Sequence, residues 1–290
     1  MTIRLHTEDP ALLRRAIELT ARETGFSLRL VEKDYYCSVV LEYLAASGAG
    51  LTFKGGTCLS KIHGAFYRLS EDLDFTVPTP TDSTRRSRSA SAGLLKEAID
   101  ALPERLPGLR IIEPLRGVNE STQYNAKAGY ESLLDGHEEP VSIEVGVREP
   151  TMLGTIEGAG MTLLLDPVTG TRMLHSVPVT SLSYYEAMAE KVRASLCREE
   201  AAIRDYFDVE HAVRSGGFDP FEQEFLVLVR RKISIPRTGP VDVSEDRMRK
   251  LREQLDPELR PVLRDADFAQ FNFALAAEIL RRIAAELALL

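Results

Sequence analysis

The sequence predicts an α+β chain with a mixed α/β first lobe and an all-helical second lobe. Three observations predict it. Short runs with strand character (residues 51–54, 73–77 and 141–147) alternate with helical stretches in the first part. Glycines 154, 158, 160 and 170 punctuate the stretch 148–181. After Thr180 the texture changes to long helix-period segments. The length, 290 residues, fits two domains and needs no disulfide or metal staple to bury a core. The expected boundary gives residues 1–180 to the first domain and 181–290 to the second.

Taken in order, residues 9–24 read as a helix. Asp9 caps it, Pro10 suits its first turn, and Leu12, Leu13, Ile17 and Leu19 form its apolar stripe. A second helix spans 27–46 and stops at Ser47-Gly48-Ala49-Gly50. Residues 51–54 form a strand, Gly55-Gly56-Thr57 turn, and a helix-compatible segment follows to residue 67. Another strand, 73–77, is ended by Pro78 and Pro80. Residues 78–92, rich in Pro, Ser, Thr and Arg, read as a loop carrying Arg85, Arg86 and Arg88. A helix over 92–102 precedes strands at 109–114, 124–133 and 141–147. Ser183-Tyr184-Tyr185-Glu186 has the pattern of a capping box, with Ser183 at the N-cap. Further helices are expected at 201–214, 220–232, 244–255 and 266–289.

Composition removes several function classes. Asp plus Glu number 44 and Lys plus Arg 36, a formal charge of −8, so bulk positive charge does not hold this chain to nucleic acid or anionic lipid. A local basic groove stays open. Charged residues interrupt each apolar stretch, and none reaches the ~20 residues of a membrane span. The first ten residues lack an apolar signal core. Cys37, Cys58 and Cys197 fit neither a disulfide framework nor a Cys-x-x-Cys zinc site, so a reducing cytoplasm is the expected compartment.

The chemistry concentrates in Phe53-Lys54-Gly55-Gly56-Thr57 and Arg68-Leu69-Ser70-Glu71-Asp72-Leu73-Asp74. A strand entering a Gly-Gly turn that opens a helix suits a phosphate cradle, because glycine admits close backbone approach and helix N-termini present free N–H groups. Thr57 adds a hydroxyl donor. Asp72 and Asp74, two apart on a strand, face the same way. Such close like charges call for a cation, and an all-oxygen set suits Mg²⁺ or Mn²⁺ shared with substrate phosphates. The alternation of Val141-Ser142-Ile143-Glu144-Val145-Gly146-Val147 puts Glu144 opposite the apolar face. Glu144 is thus a candidate third metal carboxylate and a base for an incoming hydroxyl.

These blocks resemble the nucleotidyltransferase-like AbiEii/AbiGii toxin family. The resemblance rests on Val31-Glu32-Lys33-Asp34-Tyr35-Tyr36, on Phe53 to Lys61, on Arg68-x-Ser70-Glu71-Asp72-Leu73-Asp74-Phe75, and on Glu190-Lys191-Val192-Arg193-Ala194 with Arg204-Asp205-Tyr206-Phe207-Asp208-Val209. It covers residues 25–215. It implies a polymerase-β-like nucleotidyltransferase fold with a mixed sheet, followed by a helical bundle lobe that completes the active site. It further implies that Gly55, Gly56 and Thr57 hold a triphosphate, that Asp72 and Asp74 hold Mg²⁺ or Mn²⁺, that Lys191 meets nucleotide phosphates, and that Asp208, with Asp205 beside it, is the last acidic group. Lys54 and Lys127 add to this set, Lys127 from Tyr124-Asn125-Ala126-Lys127-Ala128-Gly129-Tyr130, similar to a looser family motif.

The expected activity is transfer of NMP from an NTP to an acceptor hydroxyl, by the toxin of a toxin–antitoxin or abortive-infection pair. The 3′ end of RNA, in particular tRNA, is the expected acceptor, and a winged-helix antitoxin the expected partner. Transfer to a protein or small-molecule hydroxyl, γ-phosphoryl transfer, and a non-catalytic nucleotide- or antitoxin-binding role are the alternatives. Candidate RNA contacts are Arg85, Arg86 and Arg88, and Arg230, Arg231, Lys232 and Arg237. Tyr184, Tyr185, Tyr206 and Phe207 are expected in the core. His63 and His211 are expected to be structural, and Cys58, at a helix start, lacks a nucleophile's partners.

Overall fold

The computed structural model describes residues 3–289. The chain divides into two compact units between Leu182 and Ser183.

In the first unit, helix α1 (Leu5–Glu8) leads into α2 (Pro10–Thr24), whose N-cap Asp9 accepts a hydrogen bond from Leu12 N. Helix α3 (Leu28–Ala45) starts at Ser27, whose hydroxyl accepts from Leu30 N. Strand β1 (Thr52–Lys54) runs into α4 (Gly55–Cys58) and a π-helical turn, Leu59–His63. Strand β2 (Asp72–Thr76) follows, then α5 (Arg85–Ser91) and α6 (Gly93–Arg105). Strands β3 (Leu109–Val118), β4 (Gln123–Glu131), β5 (Glu138–Gly146), β6 (Thr155–Gly160) and β7 (Val177–Leu182) complete the unit.

All seven strands form one mixed sheet in the order β3-β4-β5-β2-β1-β7-β6. The pairs β2–β5 and β1–β7 are parallel and the rest antiparallel. Phe53, Leu73, Phe75, Ile143 and Val145, at most 1% exposed, line one face, which α3 packs against. Each such side chain contributes about 1.5–3 kcal/mol of burial free energy. Because side chains alternate along a strand, this apolar face forces Asp72, Asp74, Ser142 and Glu144 onto the other one.

Unit two is helical: α7 (Tyr184–Cys197), α8 (Ile203–Arg214), α9 (Gln223–Ile233), α10 (Glu245–Glu253), α11 (Asp265–Gln270) and α12 (Phe273–Leu289). Ser183 caps α7, accepting from Glu186 N.

Two readings are corrected, and one stretch left without assigned elements is resolved. Residues 85–91 are helical, with Thr84 accepting from Ser87 N as the cap. The stretch 148–181 holds β6 and most of β7. The single helix expected over 266–289 is two, because Asn272 caps a new start by accepting from Leu275 N.

Candidate active site

Strand register turns the sequence pattern into a grid on the polar face. One row crosses β1, β2, β5, β4 and β3 through Lys54, Asp74, Glu144, Asn125 and Arg116. The next row holds Asp72, Ser142, Lys127 and Glu113. The grid opens outward: Lys54 and Asp74 are half-buried, whereas Glu144, Asn125 and Arg116 are exposed. Lys127 pairs with Glu113 at 2.8 Å.

The Gly-Gly turn is built around these carboxylates. Gly55 has φ +75°, and a Cβ there would lie 2.1 Å from Asp74 Oδ2 and 2.7 Å from Asp74 Cβ. Asp74 therefore sits directly against the Gly55 backbone, and no other residue fits. A Cβ on Gly56 would lie 2.4 Å from Arg68 Nη2. Arg68 is 2% exposed, so a buried guanidinium backs the turn.

Thr57 takes a fastening position. It is 1% exposed and its hydroxyl donates to the main-chain carbonyl of Asp72. Its hydrogen is spent on strand β2, so what it supplies is a fixed spacing between turn and carboxylate. Ser60 acts alike on Arg68 O. Lys61, fully buried, meets Asp34 at 2.6 Å and the Ser38 hydroxyl at 2.9 Å, locking the π-helical turn onto α3. Arg29 joins Glu71 at 2.7 Å and Glu139 at 3.1 Å, tying α3 to the starts of β2 and β5. Sequence reasoning assigned no role to Asp34, Lys61 and Arg68. Charged residues inside an otherwise apolar helical run were the available signal for the first two.

The donor chemistry fits a hard divalent cation, since Asp72 and Asp74 offer oxygen ligands on one face. Glu144 lies beside Asp74 in register. Among the described residues, no group of three His, Cys, Asp or Glu forms a ready-made metal cage. Mg²⁺ needs none, because it takes one or two carboxylates and completes its octahedron with phosphate oxygens and water.

Within the helical unit, Lys191 on α7 lies 2.7 Å from Asp205 and 3.0 Å from Asp208 on α8. The two aspartates are at most 5% exposed at their side chains, and Lys191 is 12% exposed. The i,i+3 spacing puts both on one face of α8, and the lysine between them offsets their repulsion. Arg198 adds a contact to Asp205 at 3.5 Å.

Other candidates part company. Lys232 is 1% exposed and lies 2.7 Å from Glu186 and 3.0 Å from Glu190, so it belongs to an internal ion cluster and not to an RNA-facing surface. Arg230, Arg231 and Arg237 are exposed. Arg85 and Arg86 are exposed, while Arg88 donates to Ser83 O and Glu120 O. Tyr206 and Phe207 are fully buried; Tyr184 and Tyr185 are half-buried. All three cysteines are buried and unbridged, and burial pushes the Cys37 thiol up to about 12. His63 bonds Leu182 O and His211 stacks on Phe207.

Comparison with known proteins identifies the fold and the family. The fold is that of nucleotidyltransferases. JHP933 from Helicobacter pylori matches with a TM-score of 0.51 at 15% identity, covering 91% of this chain and 95% of that one. MenT4 from Mycobacterium tuberculosis, described as a nucleotidyltransferase toxin, matches with a TM-score of 0.51 at 18% identity, over 93% of this chain and 98% of that one. No curated protein sequence matches. The family model of the nucleotidyl transferase AbiEii toxins, of type IV toxin–antitoxin systems, matches residues 40–282. The chain belongs to that family and is a nucleotidyltransferase enzyme of the toxin class. Membership implies an NTP substrate and an antitoxin partner. Among the described residues, no helix is long and apolar enough to cross a membrane.

Proposed function

We propose that this toxin transfers NMP from an NTP to the 3′ hydroxyl of RNA, with tRNA as the acceptor, in a reaction that depends on Mg²⁺ or Mn²⁺. The observation that carries the proposal is the row Lys54, Asp74 and Glu144, with Gly55 packed directly on Asp74. It supports a triphosphate over the Gly55-Gly56 turn and an attacking hydroxyl beside Glu144.

Asp72 and Asp74 would hold the cation, which when bound neutralises phosphate charge and lowers the pKa of the attacking hydroxyl. The backbone of Gly55 and Gly56 lies close to the β- and γ-phosphates, with the Lys54 ammonium beside them. Thr57 keeps Asp72 at a fixed distance from that cradle. Glu144 takes the proton of the acceptor hydroxyl as its oxygen bonds to the α-phosphorus. The bond from the α-phosphorus to the bridging oxygen breaks, and pyrophosphate leaves over the Gly-Gly turn. The partner is proposed to be a winged-helix antitoxin, and the compartment the cytoplasm.

The test incubates the protein with total RNA and each α-phosphate-labelled NTP in turn, with Mg²⁺ and with EDTA. Label should enter tRNA-sized material in Mg²⁺ and be lost in EDTA. Product label that resists RNase, or a parallel incubation in which label enters RNA from γ-phosphate-labelled NTP and not from the α-labelled one, would refute the proposal.

A further inference from the structure

We infer that the outward face of β4 is the platform for the acceptor strand, and that Asn125 holds its terminal ribose by donating a hydrogen bond to the 2′-hydroxyl oxygen. The inference rests on the nucleotidyl-transfer reading and extends it to the acceptor.

Direction along the row supplies the argument. Displacement at phosphorus is in line, so the attacking and leaving oxygens lie on opposite sides of the α-phosphorus. The leaving pyrophosphate lies over Gly55 and Gly56, at the end of β1. The attacking oxygen must then arrive from the opposite direction, past Asp74 toward Glu144 on β5 and Asn125 on β4. Adjacent strands lie about 4.8 Å apart, so Asn125 stands one strand beyond the proposed base and about 10 Å from Asp74. An acceptor nucleotide with its 3′-oxygen at Glu144 lays its ribose over Asn125.

The side chains there suit a polyribonucleotide end. Gln123 Nε2 donates to Asn125 Oδ1 at 3.1 Å. That bond fixes the amide so that its NH₂ is the group left for a ligand. Exposed Arg116 pairs across from Asn125 and offers a guanidinium for the phosphate on the 5′ side of the terminal nucleotide. Lys127, one row away, meets Glu113 in a surface pair, both partners more than 40% exposed. Such a pair is weak enough for a phosphate to replace it. The row is most open at this end, as entry of a polymer requires. A 2′-hydroxyl is the group that distinguishes an RNA end from a DNA end.

The test uses an oligoribonucleotide acceptor and its twin with a 2′-deoxy terminal nucleotide, on the full-length protein. The wild type should prefer the ribose end by about tenfold in kcat/KM, the value of one hydrogen bond. Asn125→Ala should lose that preference, raising the acceptor KM for the ribose end only and leaving the NTP KM within about twofold. Asn125 is exposed, so the melting temperature should hold, and it is measured to confirm that the fold is intact. A variant that keeps the ribose preference, or raises the NTP KM instead, overturns the inference while wild-type labelling leaves the parent reading standing. A wild type that labels no RNA overturns both.

Discussion

Replacing Gly55 by alanine tests the packing at the centre of the site. The new Cβ would lie 2.1 Å from Asp74 Oδ2, whereas ordinary contact begins at 3.4 Å, so the carboxylate has to retreat by 1.3 Å. Rotating the side chain does not relieve this, because Asp74 Cβ itself would be 2.7 Å away. The main chain of β2 has to move, carrying the carboxylate with it. A displacement of about 1 Å in a catalytic group costs about a hundredfold in rate. The left-handed backbone at φ +75° adds about 1–2 kcal/mol of instability for any residue with a Cβ. Gly48 supplies the control, with φ +73° and nothing within 4 Å of its hypothetical Cβ. Gly48→Ala should therefore show the backbone cost alone and keep full activity. The assay is the rate of label transfer at saturating NTP, with the melting temperature of each variant. A Gly55→Ala protein within about threefold of the wild-type kcat would refute the reasoning.

Two further outcomes follow from buried charge. Lys191→Met leaves Asp205 and Asp208 facing each other out of solvent, and should lower stability to urea by about 3–5 kcal/mol. Adding Asp208→Asn should restore much of it, because Asp205 keeps Arg198 at 3.5 Å; no recovery would contradict the ion-triad account. Burial pushes the His63 pKa below its ordinary 6.5, against the raising effect of its bond to Leu182 O. The unfolded chain then binds the proton first as pH falls, so this contribution to stability is lost below pH 6.5. His63→Gln keeps a donor for Leu182 O and should flatten the fall in melting temperature between pH ~7.5 and ~5.5. Burial lowers the pKa of His6 and His211 as well, so part of the slope should persist. An unchanged slope would contradict the assignment to His63.

The legible features were those set by local chemistry. Asp9 and Ser183 each accept from the backbone N–H three residues on, as their side chains and positions predicted, and Ser27 does the same at the start of α3. The alternation around Ile143, Glu144 and Val145 placed Glu144 on the face of Asp72 and Asp74 because one side of the sheet had to be apolar. Helix α5 was missed because it buries no side chain and so has no hydrophobic period. Strands β6 and β7 were missed because glycines and a proline break their runs, and the pairing of β7 with β1 spans more than a hundred residues. Lys232 was read with its basic neighbours, although it shares the helix face of Phe225, Leu228 and Val229; that spacing was the available signal. The fastening of Thr57 to Asp72 O and the backing of Gly56 by Arg68 depend on tertiary contacts that no local pattern carries.

The central claim is that Asp72 and Asp74 form the catalytic carboxylate pair of a nucleotidyltransferase. Its most direct test compares transfer of α-phosphate label to RNA by the wild type, Asp72→Asn and Asp74→Asn in Mg²⁺, with melting curves to establish that each variant is folded. The account predicts wild-type labelling and a loss of at least about a hundredfold in each folded variant. Undiminished labelling by either variant would contradict it.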